Sequence, residues 1–226
     1  MKKLKIGIIG CGTIGGAIAA ACRGRLSDKL DLVAVCDTDA SKAGALAGSF
    51  RPEVPVLKQE ELIEMSDLVV EAASASISAG ILSDCITRSK GCLVMSVGGL
   101  IDRSDLIDKA RSAGVGVYIP SGAISGIDGL KSAMAGGVDS VTLTTRKPPN
   151  GLMGAPYLKD KGVDLAKIKG ETVIFEGTAG EAVKGFPQNV NVSAVLGLAG
   201  IGAKRTRVKI VTSPDYTANI HEIDQG

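Results

Sequence analysis

The sequence predicts an α/β fold, in which a doubly wound parallel sheet occupies residues 1–120 and a second, α+β domain occupies residues 121–226. Two observations lead to this prediction. Short apolar strands alternate with helices up to Pro120, an order that produces parallel strands joined by right-handed crossovers. Beyond Pro120, strands and helices follow one another without that alternation, as they do in α+β domains. The 226 residues suffice for two units of this kind, each with a core.

Strands of the first domain are predicted where short apolar runs rich in β-branched residues are bounded by polar or glycine-containing segments. They fall at residues 5–9, 32–36, 68–72, 93–97 and 115–119. Helices are predicted between them from small-residue, Ala-rich or helical apolar patterns. They fall at residues 14–22, 41–48, 60–65, 77–87 and 103–112.

The second domain is predicted from the same periodicities. Alternating or short apolar runs give strands at residues 140–146, 172–175, 205–211 and 218–223. Helical patterns give helices at residues 127–135, 180–184 and 189–202, the last of them strongly apolar. Residues 147–161 contain Pro and Gly and are predicted to be a loop.

Composition narrows the classes of protein. Hydrophobic residues make up 45% of the chain, aromatic residues 3%, and there are 30 glycines, so small aliphatic side chains must form closely packed α/β layers. The net charge of +2, without a block of like charges, disfavours a nucleic-acid partner. Five cysteines, without a C-x-x-C pair or a neighbouring His, indicate reduced, buried thiols in the cytoplasm and no metal site.

The amino terminus imitates a secretory or lipoprotein signal, because Lys2 and Lys3 precede an uncharged run that ends at Cys22. That interpretation is disfavoured, since a signal core has no reason to carry glycines at a regular functional spacing. The run is also shorter than the ~20 apolar residues that a bilayer requires, so no membrane association is expected.

Glycines follow the first predicted strand in the pattern G-x-G-x-x-G and open the first predicted helix. Gly10 permits a tight turn, Gly12 lets a pyrophosphate approach the backbone, and Gly15 lets the helix pack on the strand. Thr13 and Ile14 lie in the first helical turn, where free amides and the helix dipole favour phosphate. Residues 10–15, named the glycine turn below, therefore predict a Rossmann-type dinucleotide site. A glycine-rich turn without a ligand is the alternative.

An acidic residue at the end of the second strand strengthens the dinucleotide interpretation. Asp37 follows the last glycine of the turn by about 20 positions, where a carboxylate accepts hydrogen bonds from the adenosine ribose hydroxyls. Its charge would repel a 2′-phosphate, so NAD is favoured, and Thr38 leaves NADP as the alternative cofactor. The competing interpretation is an ordinary turn Asp in residues 37–39.

The ends of the third and fourth strands are predicted to line the cofactor crevice, because ligands of open α/β sheets lie beyond the carboxyl ends of the strands. Glu71 belongs to the first of these segments. The candidate cofactor-binding residues are Ala72, Ala73, Ser96, Val97 and Gly98. Ordinary strand-end turns would explain the same residues.

The second domain offers a base and two cations. His221 is the only histidine and is the candidate proton acceptor, with a structural or exposed histidine as the alternative. Arg146 and Lys147 stand at a strand-to-loop transition and are candidates for binding an acidic substrate. A solvated basic strand end is the competing interpretation.

Several motifs of this sequence are shared with a known family. The sequence resembles the L-aspartate dehydrogenases of archaea and bacteria, which share a two-domain plan with homoserine dehydrogenase and dihydrodipicolinate reductase. The resemblance covers almost the whole chain. It is carried by GIIGCG at residues 7–12, PSGAISG at 120–126, TRKPP at 145–149, FPQNVNV at 186–192 and NIHE at 219–222.

The resemblance implies oxidation of L-aspartate by NAD(P) to iminosuccinate, which hydrolyses to oxaloacetate and ammonia or enters NAD synthesis. It implies that His221 is the catalytic residue and that Ala123 and one of Asn189 and Asn191 contact the cofactor. Either Asn can instead cap the apolar helix that follows. Ser121, in the second motif, joins the candidates for substrate binding. A homodimer is expected.

Two departures from the family pattern are visible. Members of this family usually continue beyond the His motif with another strand and a helix. If that segment covers the sheet, we expect an exposed sheet edge here, with a second domain that is either less stable or supported by a partner subunit. Ser125 stands where a Gly is common. The alternative functions are a dehydrogenase or reductase of another small acid, of the homoserine or dihydrodipicolinate type, and a catalytically silent NAD(H)-binding sensor.

Overall fold

The computed structural model describes residues 2–187 and 191–226. The chain forms two compact units, which meet in sequence between Pro120 and Ser121. None of the helices in the described part of the chain is long and apolar enough to cross a membrane.

The first unit is built on a five-stranded parallel sheet with the order β2-β1-β3-β4-β5. Its strands are β1 (Leu4–Ile9), β2 (Leu30–Cys36), β3 (Leu68–Glu71), β4 (Gly91–Val94) and β5 (Val117–Tyr118). Its helices are α1 (Thr13–Arg23), α2 (Ala40–Gly48), α3 (Gln59–Met65), α4 (Ala75–Thr87) and α5 (Ser104–Ser112). The predicted Rossmann-type doubly wound sheet is confirmed. Because β1 has β2 on one side and β3 on the other, a crevice opens where the connections leave in opposite directions.

Small residues let α1 lie close to this sheet. Its buried positions are Gly15, Ala19 and Cys22, and they face a strand whose Ile6 and Ile8 are buried as well. The close approach of helix and strand fixes the direction in which the α1 amino terminus points.

One predicted element of the first unit is wrong at its end. The strand expected at 93–97 stops at Val94, and Val97–Leu100 forms a 3₁₀ helix instead. A side chain on Gly99 would lie 2.1 Å from the Ala75 carbonyl oxygen, so this turn packs directly on the start of α4. The remaining element ends of the unit agree with the prediction to within two residues.

The second unit has a four-stranded mixed sheet with the order β7-β8-β6-β9, in which only the β6–β8 pair is parallel. Its strands are β6 (Val141–Lys147), β7 (Thr172–Thr178), β8 (Arg207–Thr212) and β9 (Ile220–Gln225). Its described helices are α6 (Ile127–Gly136), α7 (Pro156–Asp160), α8 (Ala179–Gly185) and α9 (Asn191–Ala199). The α+β class of this unit is confirmed.

Three predictions for the second unit need correction. The strand expected at 172–175 continues to Thr178. The expected loop at 147–161 contains a 3₁₀ turn at Pro149–Leu152 and the helix α7, and each begins with a proline, which suits a first helical position. The apolar helix expected at 189–202 ends at Ala199. Gly202 has a φ of +91° and donates to the Gly197 carbonyl, which closes the helix end. The expected start at residue 189 lies outside the described residues.

Three aromatic rings form a cluster in the second unit. Tyr157 lies 5.3 Å from Phe175 and 5.2 Å from Phe186, and the two Phe rings are 5.6 Å apart, measured between centroids. These separations are those of favourable aromatic pairs. The cluster ties α7, β7 and the end of α8 together.

Candidate active site

The glycine turn has the geometry of a phosphate cradle. Gly10 has a φ of +103°, and a Cβ there would lie 2.4 Å from the Ala72 carbonyl oxygen. A Cβ on Gly15 would lie 1.8 Å from the Gly10 carbonyl oxygen. A Cβ on Gly12 would meet nothing within 4 Å, so this position faces open space.

The start of α1 is accessible at this open position. Gly12 precedes the helix and supplies no side-chain cap, and Thr13 and Ile14 are exposed. The first amides of an α-helix have no partners within the helix and attract anions. The turn therefore fits a pyrophosphate, which would come closest to the backbone at Gly12.

Asp37 lies directly beside the glycine turn. Its carboxylate accepts hydrogen bonds from the Cys11 amide at 2.7 Å and the Asp39 amide at 2.9 Å. Partial burial opposes ionisation, but these amide hydrogen bonds prevail and lower the pKa of Asp37 below its ordinary value. The hydrogen bond from the Asp39 amide is the one expected if Asp37 is an ordinary turn residue. The hydrogen bond from the Cys11 amide is different, because it joins the carboxylate to the glycine turn. Asp37 is thus a fixed anion at the carboxyl end of β2.

The loops after β3 and β4 meet at the carboxylate of Glu71. This side chain is fully buried and accepts from the Ala73 amide at 2.8 Å and from the Ser96 amide at 2.9 Å. Ala72 is held in turn by its amide, which donates to the Ile9 carbonyl at 2.8 Å. The sequence placed Glu71 at this point but did not indicate that it joins the two loops.

The candidates on these loops differ in exposure. Ala72, Ala73 and Ser96 keep accessible surface, whereas Val97 is only 1% exposed and Gly98 is buried in the 3₁₀ helix. The first three can therefore contact a ligand directly. Val97 and Gly98 are buried in the 3₁₀ helix that follows Ser96 and so support this loop without reaching its surface.

The only histidine is held by a residue that the sequence did not single out. Nδ1 of His221 lies 3.1 Å from the Thr145 hydroxyl, and the two residues are directly opposite each other on the antiparallel strands β9 and β6. Burial, and secondarily the charge of Lys147, lower the pKa of His221 below its ordinary value. The ring is therefore neutral at physiological pH and can act as a base through the nitrogen that carries no hydrogen.

Lys147 lies two residues beyond Thr145 and so on the same face of β6. It is 7% exposed, and burial lowers the pKa of its ammonium. Arg146 occupies the opposite face, where it forms an ion pair with Glu222 at 2.6 Å. The two adjacent cations that the sequence grouped as substrate-binding candidates are thus separated, and only Lys147 shares the face of His221.

A cavity of about 430 Å³ opens beside His221 within the second unit. It brings His221 together with Ala123, both of them predicted site residues. Ser121 is exposed and does not line it, whereas Ser125, which departs from the family pattern, does. The complete lining consists of Ala123, Ile124, Ser125, Gly126, Leu130, Asn219, His221, Ile223 and Gln225.

Of the two asparagine candidates, Asn191 is the exposed first residue of α9, and Asn189 lies outside the described residues. Asn219 is a polar lining residue that the sequence quoted only as part of a motif. Its position two residues before His221 is the signal that places it on the same side of the chain. Within residues 2–187 and 191–226, no group of three or more acidic, His or Cys side chains could hold a metal ion.

Known proteins resemble both units. The profile of the family described as "Homoserine dehydrogenase, NAD binding domain" matches residues 10–120, and that described as "Aspartate dehydrogenase, C-terminal" matches residues 128–225. The L-aspartate dehydrogenase of Methanosarcina mazei is 51% identical over 98% of this chain and 83% of its own length. The chain belongs to the L-aspartate dehydrogenase family. It is an oxidoreductase with an NAD-binding domain.

Other members of the L-aspartate dehydrogenase family extend the likeness. The L-aspartate dehydrogenase of Bradyrhizobium diazoefficiens is 41% identical over 99% of this chain and 79% of its own length. The crystal structure of aspartate dehydrogenase from Thermotoga maritima matches with a TM-score of 0.76 and 27% identity, covering 100% of this chain and 85% of the other.

The fold is also found outside this family. Myo-inositol dehydrogenase from Lactobacillus casei matches with a TM-score of 0.59 and 14% identity, covering 98% of this chain and 71% of its own, and shares the fold alone.

Proposed function

We propose that this protein oxidises L-aspartate to iminosuccinate with NAD, and that iminosuccinate then hydrolyses to oxaloacetate and ammonia. The identity to a known enzyme carries the proposal, and the setting of His221 supports it. The chain is 51% identical over almost its whole length to an L-aspartate dehydrogenase, and its only histidine is held as a neutral base beside a cavity.

The first unit supplies the dinucleotide site. The open position at Gly12 and the exposed start of α1 receive the pyrophosphate, and the Asp37 carboxylate accepts from the adenosine ribose. Because Asp37 is a fixed anion, a 2′-phosphate beside it would be repelled, which supports NAD over NADP. Bound there, NAD would supply the hydride acceptor for oxidation at the substrate Cα.

The second unit supplies the proton acceptor. With Nδ1–H of His221 donating to the Thr145 hydroxyl, Nε2 carries no hydrogen and accepts a proton from the substrate ammonium as the Cα–N bond becomes an imine. Lys147, on the same sheet face, offers a positive charge to a substrate carboxylate, and Ser121 is a second polar candidate. The cavity beside His221, with Ala123 in its wall, limits the size of the substrate that reaches the base.

The test is an aspartate-dependent reduction of NAD by the purified chain, followed at the absorbance band of the reduced nicotinamide. We expect reduction with L-aspartate and none with homoserine or other small acids at the same concentration. Reduction by a different substrate would replace aspartate in the proposal. Binding of NADH without any aspartate-dependent change in absorbance would contradict the enzymatic function and favour an NAD(H)-binding sensor.

We also propose that the protein is a cytoplasmic homodimer whose product feeds NAD synthesis. The free thiols of its cysteines suit a reducing compartment. One face of the second sheet exposes Val173 by 47% and Ile220 by 51%, which suits contact with a second copy. Analytical ultracentrifugation tests the dimer, and a monomer at micromolar concentration would contradict it.

A further inference from the structure

Glu71 is a buried carboxylate whose two oxygens serve two different loops. Oε1 accepts from the Ala73 amide just after β3, and Oε2 accepts from the Ser96 amide just after β4. The residue is 0% exposed. A buried carboxylate is costly unless its oxygens are hydrogen-bonded, and here each is bonded to a backbone amide. This arrangement, named the Glu71 bridge below, links neighbouring loops at the carboxyl edge of the sheet.

Ser96 is held from its other side as well. The buried hydroxyl of Ser78 donates to the Ser96 carbonyl at 3.0 Å, while Glu71 accepts from the Ser96 amide. Both backbone polar groups of Ser96 are therefore engaged by buried side chains. These two contacts fix the backbone of Ser96. Ser96 itself remains partly exposed at the carboxyl edge.

The loop after β3 also touches the glycine turn. The Ala72 carbonyl lies so close to Gly10 that a Cβ at position 10 would approach it to 2.4 Å. The Glu71 bridge thus connects the glycine turn to the loop after β4 through the segment between them. A displacement of Ser96 would separate this loop from the rest of the carboxyl edge.

The strand order fixes which part of a dinucleotide these loops would meet. Along the carboxyl edge, Asp37 follows the end of β2 and the glycine turn follows the end of β1, so the adenosine ribose and the pyrophosphate would occupy that side. The chain of the dinucleotide then continues past β3 toward β4. The remaining half, nicotinamide and its ribose, would then lie against Ala73 and Ser96.

We propose that Glu71 is a positioning residue for the nicotinamide half of the cofactor, acting through the backbone of Ala73 and Ser96. The inference rests on the proposed NAD-dependent function. A carboxylate suits this role because it has only acceptors, whereas an amide side chain would turn an NH₂ toward one of the two backbone N–H groups. Glutamine at this position must lose one of the two contacts.

The test compares NADH with ADP on the full chain carrying Glu71→Gln. NADH binding is measured by the fluorescence of the reduced nicotinamide, and ADP binding by calorimetry. We expect the NADH dissociation constant to rise about tenfold, equivalent to about 1.4 kcal/mol, and the ADP constant to stay within about twofold. Equal weakening of both ligands, or of neither, would overturn the proposal, because a general structural defect does not distinguish the two halves.

Asp67→Asn is the matched control. Asp67 stands at the opposite end of β3 and accepts from the Lys5 amide at 3.0 Å, so the substitution makes the same chemical change far from the carboxyl edge. We expect both dissociation constants to stay at their wild-type values. A selective loss of NADH binding in this control would overturn the assignment to Glu71.

Ser78→Ala keeps the test decisive if Glu71→Gln does not fold. It removes the hydroxyl that holds the Ser96 carbonyl and should weaken NADH about threefold without changing ADP, since a neutral hydrogen bond is worth less than a charged one. Unchanged NADH binding in a folded Ser78→Ala would count against the proposal. If either variant weakens NADH binding selectively but the wild-type protein does not oxidise aspartate, the positioning role is supported and only the proposed reaction is contradicted.

Discussion

Replacing Gly15 with alanine should destabilise the first unit by an amount that follows from one contact. The new Cβ would lie 1.8 Å from the Gly10 carbonyl oxygen, whereas close C···O contacts are about 3.3 Å. The Cβ is fixed to the helix backbone and the oxygen belongs to the glycine turn, so α1 would have to move by about 1.5 Å. Overpacking costs about 1–3 kcal/mol, and a clash with backbone belongs at the upper end. We expect a loss of about 3 kcal/mol and a fall of about 10 °C in Tm.

Gly12→Ala is the matched control in the same turn. Gly12 has a φ of −76°, which alanine adopts freely, and its Cβ would meet nothing within 4 Å. We expect its Tm to fall by no more than about 4 °C, because exchanging Gly for Ala at a helix N-cap costs less than about 1 kcal/mol. Its NADH dissociation constant should rise at least about tenfold, since the methyl occupies the approach of the pyrophosphate. Calorimetric melting and NADH titration measure both variants. A wild-type Tm for Gly15→Ala, or wild-type NADH binding by Gly12→Ala, would refute the separate tasks of these glycines.

Four further substitutions test the rest of the site. Asp37→Ser should reduce the ratio of kcat/KM for NAD over NADP about tenfold, and an unchanged ratio would remove Asp37 from cofactor selection. His221→Ala should lower kcat by about 10²-fold or more while the NADH dissociation constant stays constant in titration, and equal turnover would exclude a catalytic role. Thr145→Val should lower kcat/KM for aspartate about fivefold, the equivalent of about 1 kcal/mol for one hydrogen bond, with Tm as the control. Burial and the Lys147 charge both disfavour the imidazolium form of His221, so the acid limb of kcat/KM should lie below pH 6.5, its ordinary pKa. Lys147→Met removes the charge and should shift that limb to higher pH, and a shift to lower pH would contradict the sign.

Local patterns sufficed for the glycine turn and for most strand and helix ends, because each depends on residues a few positions apart. The end of β4 was missed for the same reason. Residues 92–97 form a nearly continuous apolar run, and Val97 is buried in a 3₁₀ helix as thoroughly as Val94 is in the strand. Periodicity cannot distinguish the two, since both place an apolar side chain in the core.

Contacts between distant residues could not be predicted from one sequence. The Thr145–His221 hydrogen bond spans 76 positions, and the Glu71–Ser96 contact spans 25, and each depends on strand pairing that the sequence does not display. The separation of Arg146 from Lys147 on opposite faces of the strand could have been predicted from the sequence. Adjacent residues of a strand point to opposite faces, so only one of them could accompany His221.

The aromatic cluster gives this enzyme an unusual optical signature. The chain has no Trp, two of its three tyrosines lie in the second unit, and the third, Tyr118, is 55% exposed. Near-ultraviolet circular dichroism therefore reports mainly the tertiary packing of the second unit, where Tyr157 contacts Phe175 and Phe186. The emission of bound reduced nicotinamide, free of energy transfer from indole, would report on the loops after β3 and β4 in the other unit. Heating one sample while recording both signals would show whether the two halves of the molecule melt together or in sequence.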